Sequence, residues 1–503
     1  MSDGALDELH ERLAIATDLA KVQMLLFWDQ RTMMPPAGAT GRADQLATIT
    51  RLLHERWTDE RLGELLDELG PYGESLDYDS DDAALIRFAA REHDKARRVP
   101  PALRAEMTRA ASLALPVWEQ ARRESDWALF APCLEHNLDL RREYVACFDG
   151  LEEPYDALLD EYEPGMKTSE VRTVFEQLKD ELVELIADVR EHELDTSFLS
   201  GSFPVERQWE LERRLLERLG AGRDSWRLDE TVHPFASSLG PLDVRITTKH
   251  RADCPDSLFS TLHEFGHGLY EHQVSLDLAR TPLCRGSSLG VHESQSRMWE
   301  NLVGRGLPFW RHFYGEVREA FPEALGGVDL DRFYRAINKV EPSLIRIEAD
   351  EVTYSLHIIL RFELEQDLLG GGVDVAAVPD VWAERMDEYL GVDVPDVADG
   401  PLQDMHWAAG HIGYFSTYAL GNVISVQLWE RLRQDLTDLD EQLERGEFRP
   451  LREWLGDHVH RHGRKLMPKE LLERVVGGPL DPGPYVSYLK RKLGDVYRLP
   501  VGA

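Results

Sequence analysis

A mainly helical, all-α fold is predicted by three features of the sequence. Apolar residues recur every three to four positions along most of the chain, the spacing that places them on one face of an α-helix. Alternation of apolar and polar residues, the pattern of a half-buried strand, is rare. The Pro- and Gly-containing stretches at 33–38, 370–372 and 477–479 are short, and none is a long linker. We therefore expect one continuous domain over residues 1–503.

The helices are justified by their apolar stripes and polar flanks. Residues 5–30 form the first predicted helix, which ends in the apolar run Met24–Trp28. Residues 169–192 give the clearest pattern, because their apolar side chains from Val171 to Val189 fall on one stripe. Further helices are predicted over 40–55, 82–97, 101–124, 205–219, 293–305, 346–369, 379–390, 404–434 and 468–475.

The best strand signal lies at residues 242–248, where apolar and polar side chains alternate. Val244 and Ile246 would face the core of the protein, and the polar residues between them would face the other way. Because the segment comes shortly before the motif described next, we expect a small β-sheet at the edge of an active-site groove.

Residues 261–268 contain a His-Glu-x-x-His pattern inside a segment with helical periodicity. Residues four apart lie on the same face of a helix, so His263 and His267 can direct their imidazoles at one metal ion. Glu264 lies about 100° round the helix from His263 and can reach a water beside the ion without binding the ion itself. Two ligands, an open coordination position and a carboxylate base are what a zinc hydrolase needs.

Three features favour a metal site over a surface helix that carries two solvated histidines. The segment is apolar, so the histidines are expected to be buried and to need partners. Gly266 and Gly268 are poor helix formers, which indicates close packing or the approach of a ligand. A third ligand is available downstream in Glu293, which begins another helical pattern after a loop rich in Gly and Pro.

Two other acids compete for the role of third ligand. Glu271 follows His267 on the same helix and cannot easily approach the ion from a third direction, so we interpret it as a supporting or surface residue. Glu300 is the alternative to Glu293, or else a supporting or structural acid. We predict that His263, His267 and Glu293 bind the metal.

The composition excludes several classes of protein. No apolar run is long enough to cross a membrane, and the N-terminus lacks the basic and apolar regions of a signal peptide. The four cysteines are far apart and form no metal-binding pair, so a reducing cytoplasm is the expected location.

The net charge of −35 argues against binding to nucleic acid, because phosphates would be repelled. The acidic residues are spread along the chain, and Arg outnumbers Lys among the basic residues. This composition resembles that of cytosolic proteins from salt-rich cells, in which concentrated salt screens self-repulsion.

Several motifs outside the metal helix resemble those of one family, and they occur in the same order as in that family. They are Trp28-Asp29-Gln30 with Met34-Pro35, Arg42 to Leu46, His233-Pro234-Phe235, Asp243 to Thr247, His263 to His267, His292 to Gln295, Ile345 to Asp350 and Gly400 to Trp407. On these motifs the sequence resembles the carboxypeptidase Taq family of thermostable metallocarboxypeptidases over nearly its full length. Ser416 departs from the proline expected there, which affects only the local loop shape.

The resemblance implies a two-lobed fold with a deep active-site groove, related to neurolysin and angiotensin-converting enzyme. It implies the release of single residues from the C-termini of peptides, with broad specificity. It also implies one divalent ion per chain, Zn²⁺ with Co²⁺ as the alternative, and a homodimer.

The chemistry of the reaction suggests roles for further residues. Glu264 takes a proton from the attacking water and returns it to the leaving amine. The oxyanion needs hydrogen-bond donors besides the metal. His406 and Tyr418 are the candidates, with Tyr414 as a weaker one, because segment 403–418 is predicted to be helical and resembles the His- and Tyr-bearing helix of the related peptidases.

An exopeptidase must also recognise a free carboxylate, which a guanidinium does best. Arg346 and Arg245 lie in family-like motifs and are the candidates. Their alternative role is a structural salt bridge, for example with Asp350 or Asp243.

Two other functions remain open from the sequence. An oligopeptidase that cuts internal bonds would use the same catalytic residues, and only the closed end of the groove would differ. A binding or structural protein would hold its ion in a closed site with four protein ligands. Peptide turnover with and without a chelator separates the second alternative from an enzyme.

Overall fold

The computed structural model describes residues 2–499, and it is mainly helical. The α-helices, in chain order, are α1 (Ser2–Thr32), α2 (Ala39–Trp57), α3 (Glu60–Ser75), α4 (Asp81–Arg98), α5 (Pro101–Glu124), α6 (Trp127–Val145), α7 (Asp156–Leu159), α8 (Thr168–Val189), α9 (Val205–Leu219), α10 (Ser257–His272), α11 (Leu289–Arg297), α12 (Leu307–Ala320), α13 (Pro322–Leu325), α14 (Leu330–Ala336), α15 (Thr353–Gly370), α16 (Val378–Leu390), α17 (Ser416–Asp435), α18 (Leu439–Glu444), α19 (Arg449–His458), α20 (Pro468–Val476) and α21 (Gly483–Tyr497). A π-helix over Met298–Val303 continues directly from α11. Among the described helices, none is both long and apolar enough to span a bilayer.

The chain divides into two compact units, and each is assembled from three separate segments. The first unit contains Met1–Arg97, Asp195–Tyr334 and Leu428–Gly478. The second unit contains Arg98–Leu194, Arg335–Gln427 and Pro479–Ala503. Because neither unit is continuous in sequence, no composition change along the chain could have revealed them. The expectation of a single domain stays a prediction.

The first unit holds a three-stranded sheet built from β1 (Trp226–Glu230), β2 (Ala236–Gly240) and β3 (Asp243–Thr248). The central strand is β3, which pairs in parallel with β1 and antiparallel with β2. The predicted strand at 242–248 is therefore confirmed within one residue. Val244 and Ile246 are buried as expected, with about 1% of each residue exposed.

Two glycines of α10 allow the elements around the metal motif to pack closely. A Cβ atom on Gly268 would lie 2.5 Å from the ring of Trp226 and 2.9 Å from Val244, so the sheet contacts this turn of the helix directly. A Cβ atom on Gly266 would lie 2.4 Å from the carbonyl oxygen of Gln295 in α11. The close packing expected from these glycines is confirmed, and it brings α11 beside the two histidines.

Separate apolar contacts support each unit. In the first unit, Leu9 and Leu13 of α1 belong to a buried cluster with Leu65, Leu85 and Leu283. In the second unit, α8 and α15 meet through aromatic rings. The rings of Phe175 in α8 and Phe362 in α15 have centroids 5.0 Å apart, and the ring of Tyr155, just before α7, has its centroid 5.6 Å from that of Phe362.

The helix predicted over 404–434 is wrong in its first third, because α17 begins only at Ser416. Residues 403–415 form turns instead. Gly410 and Gly413 have φ angles of 71° and 97°, the left-handed region that favours glycine and ends a helix. A Cβ atom on Gly413 would also lie 2.8 Å from the backbone of Leu158. His406 and Tyr414 therefore lie on a turn segment, and only Tyr418 lies on a helix.

Candidate metal centre

Three predicted ligands converge in the first unit. His263 and His267 stand one turn apart on α10, and Glu293 comes from α11, which Gly266 allows to lie close by. One ligand atom from each residue lies within 4.8 Å of the other two. The Nε2 atoms of His263 and His267 lie 3.7 and 3.4 Å from Oε2 of Glu293.

Hydrogen bonds select which atoms face this space. Nδ1 of His263 donates to Oε2 of Glu300 at 2.9 Å, which leaves Nε2 of that ring as the free lone pair. Arg297 donates from Nε to Oε1 of Glu293 at 2.7 Å and from Nη1 to Oε2 of Glu300 at 3.1 Å. Oε1 of Glu293 is held by Arg297, whereas Oε2 accepts a longer bond from the Ser296 hydroxyl at 3.2 Å and faces both histidines, so Oε2 is the oxygen presented to an ion.

The electrostatics of the cluster keep its acids ionised. Burial raises the pKa of Glu293, but the charges of Arg297 and His263 outweigh that effect, and the pKa falls well below its usual range. Burial likewise opposes ionisation of Glu300, and Arg297 outweighs it, so the pKa of Glu300 falls to about 2. Burial lowers the pKa of His263, but Glu293 and Glu300 more than compensate, and its pKa is raised.

Glu264 differs from the other two acids because one of its carboxylate oxygens has no partner. The residue is 6% exposed, and Oε2 is buried without a hydrogen bond to any residue that the structure describes. Burial raises the pKa of Glu264, and the nearby imidazoles only partly offset the effect. Two imidazoles and a carboxylate with an unpaired acid beside them fit a divalent ion, because zinc in hydrolases takes this donor set and keeps one position open.

His292 and Glu271 extend the site behind His267. The Nδ1 atoms of His267 and His292 lie 2.7 Å apart, and Nε2 of His292 lies 3.0 Å from Oε1 of Glu271. Glu271 is 7% exposed, so its interpretation as a surface residue is wrong. No spacing rule predicts the contact between His292 and His267, because the two residues lie 25 positions apart in the sequence.

Arg245 lies on β3 in the same unit as the three candidate ligands, and it is paired within its own strand. Its Nε and Nη2 atoms donate to the carboxylate of Asp243 at 2.8 and 3.0 Å. Its Cζ atom lies 4.4 Å from the ring centroid of Trp28, a cation–π contact. The side chain is 18% exposed, and Nη1 takes part in neither bond to Asp243.

Arg346 lies in the second unit, and it is buried in a network of charges. Its Nε and Nη2 atoms donate to Asp404, and Nη1 donates to the hydroxyl of Tyr354 at 3.0 Å. Arg361 donates to the other oxygen of Asp404 at 2.8 Å. The salt bridge of Arg346 is therefore made with Asp404 rather than with Asp350.

The other predicted residues of the second unit form an aromatic cluster. Nε2 of His406 lies 3.4 Å from the hydroxyl of Tyr418. The centroid of the His406 ring lies 4.4 Å from that of the Phe415 ring and 5.3 Å from that of the Tyr414 ring. Burial lowers the pKa of His406 to about 3, so the ring is neutral at physiological pH.

The family is decided by comparison with known proteins. A sequence model of the carboxypeptidase Taq (M32) metallopeptidases matches residues 8–493. The chain belongs to this family. The predicted family and the predicted peptide-hydrolase class are confirmed.

Individual members of the carboxypeptidase Taq family are similar over nearly the whole chain. Thermostable carboxypeptidase 1 of Thermus thermophilus is 42% identical over 491 residues, which cover 95% of this chain and 96% of that protein. Carboxypeptidase 1 of Bacillus subtilis is 38% identical over 495 residues and 98% of both chains. The crystal structure of an M32 carboxypeptidase from Deinococcus radiodurans has a TM-score of 0.95 at 39% identity, covering 99% of this chain and all of that one. The mainly helical fold is thereby confirmed.

Proposed function

We propose that this protein is a carboxypeptidase that removes single residues from the C-termini of peptides with broad specificity. The named relatives are carboxypeptidases. The observation that carries the proposal is the convergence of His263, His267 and Glu293 within 4.8 Å, beside the buried carboxylate of Glu264. One Zn²⁺ ion per chain is the proposed cofactor, and Co²⁺ would accept the same donors.

The three ligands would hold the ion through Nε2 of each histidine and Oε2 of Glu293. When bound, the ion supplies a Lewis acid that polarises a peptide carbonyl and makes a nearby water more acidic. Arg297 and Glu300 hold Glu293 and His263 in these orientations. Such outer hydrogen bonds normally fix the tautomer and raise the basicity of a metal ligand.

Glu264 is the proposed general base. Its unpaired Oε2 can accept the proton of the attacking water, and the same atom can return that proton to the leaving amine. A raised pKa makes its carboxylate a stronger proton acceptor than an exposed one. No neighbouring donor competes for that oxygen among residues 2–499.

His406 and Tyr418 are proposed as hydrogen-bond donors to the oxyanion, with Tyr414 as the weaker candidate. The neutral ring of His406 and its 3.4 Å contact with the Tyr418 hydroxyl suit them to donate together. Loss of one such donor generally lowers kcat by about 10²- to 10³-fold. Tyr418→Phe should therefore lower kcat and leave the zinc content unchanged. An unchanged kcat would contradict the proposed role of Tyr418 as an oxyanion donor.

Binding of the substrate's terminal carboxylate is proposed for Arg245 and Arg346. Arg245 keeps Nη1 outside its pair with Asp243, while Arg346 has hydrogen bonds from both ends of its guanidinium. Loss of a charge-assisted pair costs about 2–4 kcal/mol, or about 30- to 1,000-fold in kcat/KM. Replacing the arginine that binds the carboxylate, Arg245 or Arg346, by alanine should lower kcat/KM for free-acid peptides. The difference in kcat/KM between acid and amide peptides should then become smaller.

The deciding experiment follows one peptide, as the free acid and as the C-terminal amide, by mass spectrometry over time. A carboxypeptidase shortens the acid from its C-terminus one residue at a time, cleaves the amide poorly, and stops when a chelator removes the ion. Internal fragments from both forms would replace the proposal with the oligopeptidase alternative. Turnover that a chelator leaves unchanged would contradict the metal mechanism.

A homodimer is proposed on the resemblance to the family. A cytoplasmic location is proposed because the four cysteines are far apart in the sequence and suit a reducing compartment. Analytical ultracentrifugation should give twice the chain mass of 57.5 kDa. A sedimentation coefficient that corresponds to a monomer across the accessible concentration range would contradict the dimer.

A further inference from the structure

The metal centre is extended by a chain of hydrogen bonds behind His267. Nδ1 of His267 lies 2.7 Å from Nδ1 of His292, and Nε2 of His292 lies 3.0 Å from Oε1 of Glu271. The backbone N–H of Gly286 donates to the same oxygen at 2.9 Å. The three side chains therefore connect a buried carboxylate to an imidazole that faces Glu293.

The proton positions along this chain follow from what each group can donate. The carboxylate of Glu271 only accepts, so Nε2 of His292 carries a hydrogen. A neutral imidazole has one N–H, and Nδ1 of His292 is then an acceptor, which requires His267 to donate from Nδ1. His267 is left with its lone pair on Nε2, the atom that lies 3.4 Å from Oε2 of Glu293. Glu271 thus sets the tautomer of His267 from two hydrogen bonds away.

Packing keeps the intermediate ring in place. A Cβ atom on Gly286 would lie 2.7 Å from Cδ2 of His292 and 2.9 Å from the ring of Tyr270, so glycine is what lets these rings approach. The rings of Tyr270 and His292 have centroids 5.2 Å apart. The side chains of His292 and Glu271 are only 16% and 8% exposed. His292 is therefore held by contacts on its face as well as by hydrogen bonds at both nitrogens.

We propose that His292 and Glu271 are positioning residues for the metal site, which hold His267 in the tautomer that binds through Nε2 and increase its basicity. His263 receives the same support from Glu300 directly, whereas His267 receives it through an intervening histidine. The inference rests on the metal centre of the proposed function and concerns residues outside the ligand set.

The test measures the Zn²⁺ dissociation constant of the full chain by competition with a chromophoric chelator. His292→Leu removes the acceptor for His267 and should weaken Zn²⁺ binding by about 10- to 100-fold. His292→Asn keeps an oxygen near the position of Nδ1 and should recover part of that loss. Glu271→Gln keeps the shape and an acceptor oxygen but removes the charge. Its Zn²⁺ dissociation constant should lie between those of the wild type and His292→Leu.

Two further measurements separate positioning from general damage. The absorption spectrum of the Co²⁺-loaded protein should change in His292→Leu, because the ligand field depends on the orientation of His267. The control is His250→Leu, which removes another buried His–Glu pair of the same unit, that of His250 with Glu212 at 3.0 Å. This control should lower the Tm of the metal-free protein and leave the Zn²⁺ dissociation constant unchanged.

The outcomes are distinguishable. A folded His292→Leu protein with wild-type Zn²⁺ affinity and an unchanged Co²⁺ spectrum overturns the inference, as does an equal loss of affinity in the His250→Leu control. If His292→Leu does not fold, the near-isosteric Glu271→Gln decides, and wild-type affinity in that variant overturns the inference. Failure of the wild-type protein to bind Zn²⁺ at all would instead refute the proposed metal centre.

Discussion

Among residues 2–499, Glu264 is the acid near the metal centre that has a buried carboxylate oxygen, Oε2, without a hydrogen-bond partner. Glu264→Gln keeps the size and the hydrogen-bonding shape but cannot accept a proton. We expect kcat to fall by about 10²- to 10⁴-fold, the usual contribution of a general base, while metal analysis still finds one ion per chain. Loss of the ion together with activity would make Glu264 a structural residue, and unchanged turnover would refute the mechanism.

Glu293 and Glu300 have different predicted effects on metal binding although both lie beside His263. Glu293 presents Oε2 to both histidines, whereas Glu300 contacts the far nitrogen of His263. Glu293→Ala should therefore reduce metal occupancy severely, and Glu300→Ala should weaken affinity by about 10- to 100-fold without abolishing binding. Elemental analysis after dialysis checks both. The opposite order would show that Glu300 is the ligand.

The convergence of the three candidate ligands could be predicted from the sequence, because two of them obey a spacing rule and the third lies in the next helical pattern. His263 and His267 share a face of α10, and Glu293 lies in the middle of α11. The support behind His267 could not be predicted in this way. It depends on a glycine at position 286 that admits the His292 ring and on a fold that brings His292 of α11 beside His267 and Glu271 of α10.

The packing of α10 against α11 is the contact between elements that assembles the site. Gly266→Ala would place a Cβ atom 2.4 Å from the backbone oxygen of Gln295, so the helices must separate. We expect a loss of about 1–3 kcal/mol in the free energy of unfolding, typical of overpacking, together with weaker Zn²⁺ binding. Both are measured by denaturation of the metal-free protein and by chelator competition.

Gly315→Ala is the matched control for that variant. Gly315 is an exposed position inside α12, and a Cβ atom there would meet nothing within 4 Å. Alanine is the better helix former by about 1 kcal/mol, so this variant should be slightly more stable and should bind Zn²⁺ normally. Destabilisation by both substitutions to the same extent would show that the contact with Gln295 is unimportant.

Elements with a strong internal pattern were predictable, and those held by tertiary contacts were not. The helix α8 was predicted at 169–192 and is observed at Thr168–Val189, because its apolar stripe is continuous. The strands β1 and β2 are five residues each and lack clear alternation, so only pairing with β3 reveals them. Residues 403–415 lack a helix because two glycines with positive φ and the salt bridges of Asp404 impose turns.

At the scale of the whole molecule, the excess of acidic over basic residues is too large for ion pairing to neutralise the charge. The chain has 92 acidic and 57 basic residues, so 35 carboxylates would remain even if every Lys and Arg were paired. Many of the pairs that do form are exposed, such as Arg449–Glu453 and Arg51–Glu55. Exposed pairs contribute about 0–1 kcal/mol each, and salt weakens them. Self-repulsion among the unpaired carboxylates is therefore expected to be the larger effect of the two.

The stability of the protein should consequently increase with salt at neutral pH. Raising KCl from about 0.1 M to about 1 M shortens the Debye length from about 10 Å to about 3 Å, which screens repulsion across the surface. We expect the Tm of the metal-free protein, measured by circular dichroism, to rise over this range at pH 7. The sequence pI is about 4.9, so the net charge and the salt effect should both nearly vanish at about pH 5. A Tm that falls with KCl at pH 7 would show that the exposed ion pairs outweigh the repulsion, and an equal rise at both pH values would assign the effect to hydration rather than to charge.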